Sequence, residues 1–424
     1  MRAGGSFKLL WCLITAVSLI FAGGLYSDIS ASDVVKIGLN YPETGPYAKQ
    51  GLDQRRAADL AAEEINAAGG ILGKKIQLVY RDTKSNPKIA RDNAIELYDK
   101  EGVPMIFGGS SSAVIVAVGK VAKDKKKLAF GTLTYATEVT VEEGHKFIFR
   151  ECYDSGMGAR VLSDYLKKNF GGKKYFYITS DYNWGWTTED AFRKYTDTTD
   201  KVVHKGILTK LGTTDFTAAL TLAKEASPDV LVLVQFGRDM EIALKQAYEM
   251  GLKNKMQVVV PNLTEDMAEG AGPEAMEGVL GTLPWSWKIP FDKGYKKGMD
   301  FVKKFEEKYK RYPNTSGASA YVILHQYKEA VERAKTFDTM EVIKALEGHK
   351  YVGLKDEQYW RAFDHQSVQT VYAVRGKKAD VVKKDKYQLD YFEVINEMPG
   401  EKAAISFEEW SEARAKIGLP AKLE

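Results

Sequence analysis

The chain has 424 residues, 44% hydrophobic and 28% charged, with a formal net charge of +4. That length holds more than one compact unit, since single domains run to about 100–200 residues. So small a charge over so long a chain argues against a nucleic-acid binder. The basic runs at 123–127 and 383–386 each contain an acid, as solvated faces do.

Arg2 and Lys8 precede an apolar run over 9–22, and small residues follow at 22–24 and 30–32. This is the pattern of a secretory signal peptide, assigned to residues 1–31. Cleavage after Gly24 and cleavage after Ala31 fit it equally. Removing the leader takes Cys12 with it and leaves Cys152 alone. No internal disulfide can then form, and a buried, inert thiol is expected at Cys152.

The stretch over 34–82 organises the rest of the chain. An apolar strand (34–39) leads into a turn-rich loop (40–51) containing Tyr41, Gly45, Pro46 and Tyr47. An alanine-rich amphipathic helix then stops at Gly69 and Gly70, before a second strand over 75–80. Strand, loop, helix and strand within about fifty residues make a βαβ unit with a parallel pair. Ligands of open α/β sheets bind beyond the carboxyl ends of the strands, where this loop lies. Tyr41 and Tyr47 therefore either face a crevice or cover a helix end.

The Thr44-Gly45-Pro46 loop, the helix end at 64–71 and the turn Asp82…Asn86-Pro87 resemble a known family. It is the periplasmic solute-binding proteins of ABC importers, in the subgroup typified by the leucine/isoleucine/valine-binding protein. The resemblance runs to about Gly376. It implies a type I periplasmic binding fold, a small amino acid, carboxylate or amide as ligand, and permease subunits in the membrane as partners. It also implies a periplasmic location.

Strands and helices continue to alternate. A helix from Pro87 to Tyr98 precedes a strand over 103–107 and the small-residue run at 108–113. A helix (114–122), a strand (128–130), a loop (131–137) and a strand (147–150) close this half. After Cys152 the series is a helix (156–170), a strand (174–179), a loop (180–186), a helix to 195, a strand (202–207) and a helix (216–226). A strand (230–234), a helix (240–250) and a strand (257–260) complete it. Continuous apolar strands mark parallel sheets buried on both faces. The fold class is α/β, with two doubly wound parallel-sheet lobes joined by a multi-strand hinge. Residues 32–151 with 285–364 are assigned to the first lobe, and 152–284 with 365–424 to the second. The segment 282–287 crosses back to the first lobe, and helices at 296–310, 316–334 and 340–346 come after it. A last crossing falls at 359–370. The helix at 407–417 either packs on the second lobe or extends away.

The loops at the strands' carboxyl ends carry the candidate site. Ser110, Ser111 and Ser112, between a strand and a helix, suit a small anion at a helix N-terminus. An ordinary serine N-cap would use one of the three. The resemblance implies that a serine here and a group of the next loop hold a carboxylate, and Thr132, Thr134 and Tyr135 lie there. In the second lobe it implies that Trp184, followed by Gly185, closes over the ligand; Phe236 belongs to the same aromatic-rich region, which either joins Trp184 and Tyr47 around the ligand or packs in the core. Trp285 and Trp287 are expected to pack in the hinge. Amino-acid-binding relatives place an acid for the ligand's ammonium where this chain has Asn262, with Asp239 and Glu265 as the nearest acids. An amide pairs with an ammonium less strongly than a carboxylate does.

The chain lacks a phosphate loop, a dinucleotide glycine fingerprint after the first strand and a Gly-x-Ser-x-Gly elbow. Its five histidines are scattered singly. No catalytic residue, metal or cofactor is expected.

Overall fold

A computed structural model describes residues 33–424, so the leader assigned to 1–31 lies outside the described residues. The first sheet is built from short apolar runs that alternate with amphipathic helices. In order these are β1 (Val34–Tyr41), α1 (Ala48–Ala67), β2 (Lys75–Asp82), α2 (Pro87–Asp99), β3 (Met105–Gly108), α3 (Ser112–Lys125), β4 (Leu128–Gly131) and β5 (Ile148–Arg150). Asn86 caps α2 by accepting from the amides of Lys88 and Ile89, with Pro87 at its first turn. The five strands are parallel, in the order β2-β1-β3-β4-β5.

The second series runs α4 (Ser155–Phe170), β6 (Tyr175–Ser180), α5 (Asn183–Tyr195), β7 (Gly206–Thr209), α6 (Thr217–Ala226), β8 (Val230–Val234), α7 (Gly237–Glu249), β9 (Gln257–Val260), α8 (Glu265–Ala271), α9 (Pro273–Met276) and β10 (Leu280–Leu283). The chain then returns to the first lobe as α10 (Ile289–Lys293), α11 (Lys296–Tyr309), α12 (Thr315–Ala334) and α13 (Thr339–Leu346), with α12 packed along α1. A small antiparallel sheet, β11 (Lys350–Val352), β12 (Glu357–Trp360) and β13 (Ser367–Val368), leads out of it. Last come β14 (Val371–Gly376), α14 (Ala379–Val382), β15 (Phe392–Met398), α15 (Gly400–Ala403) and α16 (Phe407–Ala415). The second sheet has the order β15-β14-β10-β9-β8-β6-β7, with β14 antiparallel to β10 and to β15.

The structure moves one element and places another. The strand expected over 202–207 forms at Gly206–Thr209 instead. Val202 and Val203 have strand-favouring side chains, but their amides donate to Asp200 Oδ1 at 2.9 and 3.3 Å, which holds a turn. The last helix does not extend away, and it packs on residues 140–144 of the first lobe as well as on Arg160 of the second. Trp410 is fully buried, and its indole N–H donates to Thr140 O at 2.9 Å. Arg414 donates to Val141 O at 2.6 Å.

Three chain crossings form the hinge, near 151–154, 284–288 and 369–370. Arg150, with no exposed surface, ties the first to its surroundings. It donates to Gln366 Oε1 at 2.6 Å, to Thr140 Oγ1 at 2.7 Å, to Asp154 Oδ2 at 3.2 Å and to Ala136 O. Lys355 Nζ donates to Pro284 O and Thr370 O, both at 2.6 Å, and so links the other two. Cys152 is buried here as a free thiol, and burial pushes it up to about 12, far from a reactive thiolate. Replacing Arg150 by methionine would leave Asp154 and two carbonyls buried without their donor. Loss of one partner of a buried pair costs about 3–5 kcal/mol. Arg150→Met should therefore lower the unfolding free energy by that amount in a denaturant titration, and a change below about 1 kcal/mol would contradict this role.

Candidate ligand-binding cleft

In each sheet the strand order reverses once among the parallel strands, between β1 and β3 and between β6 and β8. Loops leaving the carboxyl ends of such a pair diverge and leave a crevice. The two crevices face each other. Tyr47 and the serine loop come from the first, and Trp184 and Phe236 from the second.

On the first side, Gly108, Gly109 and Ser110 have φ of 126°, 119° and 61°. Two successive glycines allow this left-handed path, and Ser110 follows it at a cost in strain. The turn brings β3 directly into α3, with Ser111 at the N-cap position but no cap bond from its hydroxyl. Ser110 Oγ accepts from Gln54 Nε2, and Ser112 Oγ accepts from Ala136 N at 3.0 Å. The hydroxyls of Thr132 and Tyr135 are buried and have no hydrogen-bond partner among the described residues. Thr134 differs from Thr132. Its amide donates to Cys152 Sγ at 3.2 Å and its hydroxyl lies 3.9 Å from the same sulfur.

Aromatic rings fill the second side. Phe236 packs edge-on against Tyr47 (5.4 Å between centroids), Tyr135 (5.8 Å) and Trp184 (5.8 Å). Tyr47 reaches across the crevice, with its hydroxyl 2.9 Å from that of Tyr182. Gly237, at φ 58°, permits this closeness, since a Cβ there would stand 2.5 Å from the Tyr47 ring. Trp184 lies in the first turn of α5, not in a loop. Its indole N–H donates to Asn262 Oδ1 at 3.2 Å, and Asn262 Nδ2 donates to the Tyr153 hydroxyl at 2.8 Å. Tyr153 in turn lies 2.8 Å from Thr282 Oγ1, which donates to Pro261 O. Both ends of the Asn262 amide are thus bonded to protein. Trp287 stacks on Tyr312 with ring centroids 3.8 Å apart, as expected of a hinge residue.

Sequence reading missed the polar floor of the cleft. Gln50, Asp53 and Gln54 lie on the buried face of α1, where Gln50 and Asp53 meet α8 and the start of α12 and Gln54 meets Ser110. Asp266 accepts from Gln50 Nε2 and from Asn314 Nδ2 (2.7 Å), and Asp53 accepts from Asn314 N at 2.9 Å. Glu265 accepts from Thr315 N at 3.3 Å. Of the two acids expected near Asn262, Glu265 therefore faces α12, and Asp239 accepts from Gly212 N at 2.7 Å. Burial raises Asp53 to about 7, Glu265 to about 8 and Asp266 to about 6, against smaller opposing effects of their N–H and O–H donors. The signal in the sequence is faint, because glutamines and an aspartate one turn apart read as a solvated helix face.

All three acids bind protons more tightly folded than unfolded, so folding takes up protons between ordinary values of 3.8 to 4.5 and folded values of about 6 to 8. Their contribution is fully present below the unfolded values and is lost as pH rises through the folded ones. The melting temperature should fall from about pH 5 to pH 8, and Asp53→Asn should flatten that fall. An unchanged slope in the variant would exclude Asp53 as a source.

Comparison with known proteins places this geometry. The family model of periplasmic binding proteins matches residues 34–381. The leucine-, isoleucine-, valine-, threonine- and alanine-binding protein of Pseudomonas aeruginosa PAO1 is 26% identical over 336 residues, 77% of this chain and 86% of that protein. A periplasmic binding protein structure from Burkholderia mallei has a TM-score of 0.81 and 26% identity, over 89% of this chain and 98% of that one. A solute-binding protein of an ABC transporter from Rhodopseudomonas palustris BisB5, in complex with 3,4-dihydroxybenzoic acid, shares the fold with a TM-score of 0.77 at 22% identity, over 87% and 98%. With its two facing α/β sheets and a family match over most of its length, the chain belongs to the periplasmic binding protein family.

Proposed function

We propose that this protein is the extracytoplasmic receptor of an ABC importer, working in the periplasm and handing a small solute to membrane permease subunits. The solute binds between lobes made of 32–151 with 285–364 and 152–284 with 365–424. Ser110, Ser111, Ser112, Thr132 and Thr134 form its carboxylate end, with Tyr135 beside them. Tyr47, Trp184 and Phe236 enclose it, and Asn262 holds Trp184 in place. One observation carries the reading. The unpaired hydroxyls of Thr132 and Tyr135 lie on the loop beside the Ser110–Ser112 turn, and the Tyr135 ring joins the aromatic cluster.

Two ligand classes fit. The Pseudomonas relative supports an amino acid, branched-chain above all. The aromatic enclosure and the occupied Asn262 amide favour a carboxylate without an α-amino group, as in the complex with 3,4-dihydroxybenzoic acid. A thermal-shift panel of leucine, isoleucine, their deaminated acids, benzoate, 3,4-dihydroxybenzoate and small amides separates them. A ligand at a hundredfold excess over Kd stabilises by about 2.7 kcal/mol. A shift with leucine but not its deaminated acid supports the amino acid, and the reverse supports the carboxylate. For whichever compound binds, Ser110→Ala with Ser111→Ala should weaken binding at least tenfold, about 1.4 kcal/mol, with some fall in the unliganded melting temperature because Gln54 loses its acceptor, whereas Ser111→Ala alone should leave that temperature in place. Unchanged affinity would sink the serine-loop assignment.

A further inference from the structure

At the floor of the cleft unpaired acceptors outnumber unpaired donors, which are Arg311 Nε and Trp285 Nε1. Gln50 and Gln54 commit their amide N–H groups to Asp266 and Ser110, and the Oε1 atom of each has no partner among the described residues. Glu265 Oε1 likewise has none. The three residues are 1%, 0% and 2% exposed, so water does not replace the missing donors freely. The same place is short of positive charge. Asp53, Glu265 and Asp266 are all buried there. Arg311, whose field reaches Asp53 and Asp266, donates to Glu269 at 3.0 Å, and Lys49 pairs with Glu241 at 2.8 Å. The unpaired atoms are amide and carboxylate oxygens, which an N–H donor would satisfy.

We propose that this cluster receives a cationic N–H group, ammonium or guanidinium, that the solute carries apart from its carboxylate. The proposal rests on the receptor reading and names the second end of its ligand. Gln54 joins the two ends, because the side chain that bonds Ser110 also offers the free acceptor. An ammonium places up to three donors and a guanidinium five on a cluster whose free acceptors outnumber its free donors. Each is charge-assisted where it meets Asp266, and a cation beside Glu265 opposes the effect of burial and favours its carboxylate form. Asn262 takes no part, so the cation is not an α-ammonium held at that position.

Titration calorimetry on the purified protein tests this with matched pairs: 5-aminopentanoate against pentanoate, and 4-(aminomethyl)benzoate against 4-methylbenzoate. 4-Guanidinobutyrate and the neutral amide of glutaric acid complete the set. The cationic member of at least one pair should bind tenfold or more tighter than its partner. Glu265→Gln should remove most of that advantage and leave the partner's affinity within about twofold, and Gln50→Leu should act in the same direction. Unliganded melting temperatures of the variants report that they fold. Equal or tighter binding of the uncharged-tail partners, or of the neutral amide, overturns the cationic end and leaves the carboxylate receptor standing. If no carboxylate in the set binds, the carboxylate reading fails and this proposal with it.

Discussion

Two parallel sheets share one binding crevice only when the reversal points of both lie at their facing edges. Here β1/β3 and β6/β8 meet that condition, and the rest of the molecule serves it. The helices on either face give the sheets their dry surroundings, so inner strands such as β3, β4 and β8 are apolar and fully buried, while β2, β7 and β15 are not. The loops are thereby freed to hold polar groups. The hinge keeps the two edges in register. Its crossings are joined by donors with no exposed surface to spare, such as Arg150, and by Gln366, whose amide donates to Cys152 O at 2.8 Å. A rigid set of carbonyl–donor pairs at the pivot lets the lobes move as units about a few residues.

Much of this was legible in the residues. Runs such as Val230–Val234 admit few readings other than a buried strand, and Asn86-Pro87 announces its helix. The serine loop was legible because glycines before a short polar run fix a turn whatever surrounds it. What escaped depends on long-range contact. Gln50 meets Asp266 across 216 positions and Asp53 meets Asn314 across 261. On α1 alone these residues carry no sign of burial, since only the docking of α12 and α8 covers them. The misplaced strand near Val202 has the opposite cause, local propensity overridden by an aspartate-bound turn.

Placing Trp184 in the first turn of α5 changes its meaning. A loop tryptophan could swing freely over a ligand. A helical one moves with its lobe, and its indole is anchored on Asn262. Asn262 thereby braces the aromatic wall. The same amide braces Tyr153 in the first crossing, so the wall and the pivot are connected by two hydrogen bonds.

The seam between the lobes explains why closure would wait for a solute. Its direct contacts include Tyr47 to Tyr182, Arg238 N to Pro46 O at 3.1 Å, Lys49 to Glu241, Arg311 to Glu269 and Gln50 to Asp266. The ion pairs among them are partly exposed, and such pairs contribute roughly 0–1 kcal/mol each. Against them stands the cost of drying Glu265, Asp266 and the glutamine oxygens, which water would solvate in an open cleft. The cost of drying these groups opposes the contacts across the seam. A solute that supplies the absent donors while bridging both lobes then shifts the population by its own differential contacts. On the proposed reading, the unpaired polar atoms that oppose closure are also the ones a solute would satisfy.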